Sequence, residues 1–125
     1  MTKEKSGNNM LSGALLGLMS QIGIDIMTLS GELDEAEFFA SRLTRVQTLQ
    51  LLASLAQTAG NLPDETRVRL TQIDWAAWAA LGKVLPNYSQ HPLQIWVAIK
   101  ELTPMTVQQL SDYKRSKPEM FSMVM

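Results

Sequence analysis

At 125 residues, with 46% hydrophobic and 18% charged positions, the chain suits one compact domain and leaves no room for a second. A chain of this length buries roughly two-thirds of the surface it exposes when unfolded, so neither a disulfide nor a metal is needed to hold a core. The absence of cysteine removes disulfides, thiolate metal sites and a cysteine nucleophile, and the single His91 removes a multi-histidine metal site. A net charge of −1 argues against the broad electrostatic footprint from which nucleic-acid binding draws its affinity. No cofactor is expected, and a reducing cytoplasm suffices as the compartment.

The polar run 1–9 is expected to be a flexible segment ahead of a helical domain over 10–115, with a Met-rich tail over 116–125. Ser12, Ser20, Gln21 and Asp25 interrupt the stretch from Met10 to Leu29. It reads as too polar for a membrane span, and no small-x-small cleavage signal closes it. Leu11, Leu15, Leu18, Ile22, Ile26 and Leu29 alternate steps of four and three, the spacing of one helical face. Gly13 and Gly17 lie one turn apart on this first helix and read as a place of tight packing inside a bundle. Ser30 and Gly31 break the pattern.

Asp34 with Glu37 three residues later has the form of a capping box, so a second helix starts there. Phe38, Leu43, Val46, Leu49, Leu52, Ala53 and Ala56 form its expected apolar face as far as Ala59, with a bend at Ser41–Thr44 and a stop at Gly60-Asn61. Pro63 opens a short helical turn through Leu70, since its missing N–H costs nothing in a first turn. Asp74 caps a fourth helix carrying Trp75, Trp78, Leu81 and Leu85. Pro86 ends it, because continuing a helix through proline costs on the order of 3 kcal/mol. The segment Asn87–Pro92 reads as loop. A fifth helix from Leu93 carries Trp96, Val97 and Ile99, then stops and restarts at Thr103-Pro104, with Met105, Leu110 and Tyr113 continuing its face. No stretch alternates with a period of two, so the chain reads as an all-α bundle of about five helices.

The usual catalytic constellations are poorly supplied. His91 has no sequence partner for a nucleophilic triad, and Asp34, Glu35 and Glu37 read as first-turn helix acids. Arg42, Arg45, Arg67 and Arg69 would bind nucleic acid only if they joined in one patch; four scattered guanidiniums more often form a solvated or salt-bridged face. Trp75, Trp78 and Trp96 read as core or interface anchors rather than a platform for stacking bases.

Three phrases in order carry a resemblance. They are the run from Glu37 to Thr44 (EFFASRLT), the stretch from Leu52 to Ala59 leading into Asn61-Leu62-Pro63-Asp64-Glu65-Thr66-Arg67, and the run from Ile73 to Leu81 (IDWAAWAAL). With Ile95–Lys100 and the later Leu102 and Pro104, they resemble the HepT-like branch of the HEPN superfamily over about Leu11 to Tyr113. The resemblance implies a helical bundle that commonly dimerises through the face carrying the active site. Active relatives are metal-independent RNA endonucleases, often the toxin of a two-gene system whose antitoxin is a nucleotidyltransferase-like protein. Their signature is an Arg, four to six residues, then a His, with a Tyr commonly two residues later; the pair activates the ribose 2′-OH and stabilises charge on phosphate.

Aligned on Ile73-Asp74-Trp75, the signature Arg falls on Gly82, or on Lys83 with a slip of one, and the His falls on Asn87; Tyr88 stands one position early. Glycine has no side chain, and a carboxamide cannot shuttle a proton as imidazole does. The resemblance therefore implies a degenerate site and a helical dimerisation or protein-binding module, with Trp75, Trp78, Leu81, Tyr88 and Trp96 as interface anchors. Two rivals stand beside it. One is an RNase with a displaced Lys83–His91 site, and the other is a non-catalytic nucleic-acid-binding accessory that uses the four arginines.

Overall fold

The structure is a computed structural model that describes residues 2–121, with side chains from Leu11 onward. Every regular element described is helical. They are α1 (Thr2–Ser30), α2 (Glu35–Ala40), α3 (Arg42–Asn61), α4 (Asp64–Arg69) and α5 (Trp75–Val84), then a 3-10 turn (Leu85–Gln90), α6 (Pro92–Val97), a π turn (Ala98–Leu102), α7 (Thr103–Ser116) and a closing 3-10 turn (Pro118–Phe121). Since α6, the π turn and α7 run on as one rod, the described residues form six helices rather than five. The extra one comes from the second predicted helix, which is split at Ser41.

Ser41 takes an extended backbone (φ −89°, ψ 94°) and serves both sides of the break. Its N–H donates to the Glu37 and Phe38 carbonyls at the end of α2, and its carbonyl accepts from the Arg45 N–H at the start of α3. The Arg45 guanidinium reaches back to the Phe39 carbonyl, so a polar group stranded by the break is satisfied. The kink lets α2 turn Phe38 fully inward, where its ring meets Phe39 edge-on at 5.1 Å and Trp96 at 5.8 Å.

α1 packs against α3, α7 and the closing turn, while α3 packs in turn against α5. Leu16, Met19, Ile26, Leu52, Leu55, Trp78, Ile95 and Leu110 are buried where these elements meet. α1 extends back to Thr2, through the polar residues that composition alone sets apart. Its buried face is also rotated from the expected one: Leu11 and Leu18 are about half exposed, while Ser12, Leu16, Met19, Ile22, Ile26 and Ser30 point inward. The polar members of that face have partners. Ser12 Oγ meets Thr66 Oγ1 of α4 at 2.8 Å, and Ser30 Oγ donates to the Ile26 carbonyl at 2.7 Å. The α1 stretch Leu11–Ser30, with mean hydropathy 1.3, is long and apolar enough to cross a membrane, against the sequence expectation that its polar residues forbid it. In this fold 39% of that stretch is buried inside the bundle.

At Thr103-Pro104 the helix neither stops nor restarts. Pro104 cannot donate to the carbonyl four residues back. The chain widens into the π turn instead, with Thr103 still helical (φ −65°, ψ −52°) and its N–H and Oγ1 both donating to the Ala98 carbonyl. One more strut ties this rod to α1, whose last turn holds no basic residue. Lys100 Nζ donates to the Ser30 carbonyl at 2.7 Å while lying 4.9 Å from the Trp96 ring centroid, which supplies the cation that a helix C-terminus favours. Beyond α7, the tail folds back as far as Phe121 and buries Met120; residues 122–125 of the predicted tail lie outside the described residues.

Candidate functional site

α5 is a ten-residue helix made mostly of alanine between its tryptophans. Asp74 caps it by accepting from the Ala77 N–H at 2.9 Å, as the sequence indicates. Trp78 is fully buried, and its indole N–H donates to Thr106 Oγ1 of α7 at 3.0 Å. This bond fixes the inner side of α5, so its outer sides present Ala76, Ala79, Ala80 and Gly82, with Lys83 in the last turn. Next to α3 that leaves an apolar groove of about 680 Å³, walled by Val46, Leu49, Gln50, Ala53, Ala56 and Gln57 on one side. Trp78, Ala79 and Gly82 of α5, with Leu85, Pro86 and Tyr88 of the 3-10 turn, form the other. A Cβ on Gly82 would lie 3.7 Å from the Ala56 Cβ of α3, an ordinary contact.

No residue lining this groove is a carboxylate, imidazole, ammonium or guanidinium, so it offers no acid or base for proton transfer near neutral pH. What it offers is apolar surface with two carboxamides and a phenol, the chemistry of a recognition surface.

The positions singled out from sequence are spread unevenly about it. Gly82 and Tyr88 line the groove. Lys83 is exposed on α5 and does not, while Asn87 sits at a kink in the 3-10 turn (φ −118°, ψ 39°). His91 is partly buried and makes the junction to α6: its N–H donates to the Tyr88 carbonyl at 2.9 Å and its carbonyl accepts from the Ile95 N–H at 3.1 Å. Among the described residues no hydrogen bond joins Lys83 to His91.

Two of the five expected interface anchors are not available to a partner. Trp78 and Leu81 are 0% and 1% exposed, since they are the residues by which α5 joins the core. Trp75 is partly buried, with its indole N–H on the Leu70 carbonyl, and Trp96 is engaged by Phe38 and Lys100. Tyr88 remains beside the groove. Val46, Leu49, Ala53 and Ala56 of the α3 wall keep the helical spacing of a core face, so the sequence alone does not separate this groove from the core. Leu43 is 72% exposed and Val46 42%, while the core is served by Thr48, Leu52, Leu55 and Ala59 on another side of the helix. One signal was present: from Val46 to Asn61 α3 carries no charged residue, although one of its faces meets solvent.

The four arginines do not form one patch. Arg42 and Arg45 begin α3, and Arg67 and Arg69 follow its far end, after on the order of 25 Å of helix. Arg45 is held by the Phe39 carbonyl, Arg67 pairs with Asp64, and Arg69 faces Glu119 at 3.9 Å. Among the described residues no group of three or more His, Asp or Glu is placed to hold a metal ion.

No family model matches the chain, and no curated protein or solved structure is significantly similar to it.

Proposed function

We propose that this protein is a catalytically silent, HEPN-like helical bundle that works in the cytoplasm as a binding module, using the groove between α3 and α5 to pair with a second copy of itself. The observation that carries this reading is the groove's lack of ionisable catalytic groups, at the place where the resemblance locates an active site. Gly82 and Tyr88, two positions that align with or beside the signature, line it, and the rest of its surface is apolar or carboxamide. Such a surface meets its own copy with no like charges opposed. In a two-gene setting, a nucleotidyltransferase-like protein is the companion that the resemblance suggests.

The test combines sedimentation of the purified chain over a concentration series with incubation on single-stranded and structured RNA. A dimer mass without RNA cleavage is the expected result. Cleavage abolished by Lys83→Ala or His91→Ala would establish the displaced nuclease instead, and a monomer at every concentration would remove self-pairing.

A further inference from the structure

The opposite side of α5 borders a second, smaller cleft, which lies against α6, the π turn and α7. It is apolar: buried Leu81 and Leu102 close it towards the core, and Ala77, Ala80, Val97 and Met105 stand around them. Val97 is 40% exposed and Met105 46%, so the walls reach solvent. Two exposed carboxylates, Asp74 and Glu101, also line it, and neither takes part in an ion pair among the described residues. The nearest cation along the rod, Lys100, is turned away to the Ser30 carbonyl of α1.

We infer that this cleft docks an amphipathic helix of a partner protein whose apolar face is flanked by Lys or Arg. The proposal is independent of the α3–α5 groove. A trough between helices suits the spaced apolar anchors of a docked helix. Charge decides among macromolecules. A second copy seated cleft to cleft would bring four carboxylates and no cation of the lining into one contact, and nucleic acid or an anionic membrane would meet the same repulsion. A basic flank is attracted instead. The helices behind the cleft are already tied together, because Trp78 of α5 donates to Thr106 Oγ1 of α7, which donates to the Leu102 carbonyl at 2.7 Å, so docking need not order them. The π turn in its wall is a feature frequently found at functional sites.

The experiment uses two labelled synthetic helical peptides with the same leucine face, one flanked by Lys and Arg and the other by Glu, titrated with the full chain by fluorescence anisotropy. The basic peptide is expected to bind about tenfold more tightly at low salt, and high salt should shrink the difference. The double variant Asp74→Asn, Glu101→Gln should lose most of that preference while its circular dichroism stays native, because asparagine still caps α5. Val97→Arg should abolish binding of the basic peptide. Equal binding of the two peptides, binding of neither, or a tenfold preference surviving in the double variant would each overturn the proposal. So would an Ala80→Arg variant that lowers the sedimentation mass of the chain, since the cleft would then hold a second copy. Failure of the α3–α5 reading would show elsewhere, in a mass that never rises with concentration.

Discussion

A methyl group placed on Gly23 would lie 2.4 Å from Val107 Cγ2, inside any tolerable contact, with Thr103 and Leu55 close behind. Here α1 and α7 pack closely, and the β-branched Val107 has little rotamer freedom with which to yield. The sequence points to Gly13 and Gly17, because a pair one turn apart has a recognisable form and a single glycine has none; of the two, Gly13 is buried and Gly17 is exposed. Gly17 has no neighbour within 4 Å of where its Cβ would be. The two sites should therefore respond with opposite signs. Gly23→Ala gains about 1 kcal/mol of helix propensity but loses more to overpacking, for a net destabilisation of about 1–2 kcal/mol. Gly17→Ala should stabilise by up to about 1 kcal/mol. Urea unfolding of both variants checks this, and equal shifts would mean that α1 and α7 are not so closely packed.

At the level of elements, legibility follows the range of the interaction. The caps at Asp34 and Asp74 were readable because each is a hydrogen bond to an amide three residues on, settled within one turn. Faces were harder. α1 and α3 carry apolar residues on more than one side, so several helical stripes fit equally well until the neighbouring helices choose one. The π turn was not readable, because Pro104 has the same local signature in a helix that restarts as in one that bulges. Buried Thr103, fully satisfied on the Ala98 carbonyl, is what holds the bulge.

A kink also bears on the proposed HEPN-like reading. Installing the Arg–His pair that the resemblance would place here, with Gly82→Arg and Asn87→His, should not produce an RNase. Asn87 has left helical geometry, so the two side chains would not stand on neighbouring turns of one helix. RNA cleavage by that double variant, in a nuclease-free preparation, would show that the kink is no barrier to a working Arg–His pair.

Across the whole molecule, charge is sparse along most of α3, along α5 apart from Lys83, and along the segment that leads through α6. Residues 46–61, 75–82 and 84–99 contain no Asp, Glu, Lys or Arg. Net charge gives no hint of this, because it averages a charged rim with a neutral face. The consequence can be tested by placing charge where the fold has none. Ala53 and Ala79 are exposed and line the α3–α5 groove from opposite walls, whereas Ala76 is exposed on α5 but lines neither groove. Glutamate at any of the three should change monomer stability by no more than about 0.5 kcal/mol, since each side chain meets solvent. In a pair formed across the groove, Ala53→Glu or Ala79→Glu would bury carboxylates against apolar surface and oppose like charges. Either should weaken association by at least about tenfold, equivalent to roughly 1.4 kcal/mol, while Ala76→Glu leaves it unchanged. Sedimentation equilibrium on the three variants separates these effects; identical self-association in all three would remove the groove as the dimer contact, whatever mass the parent chain shows.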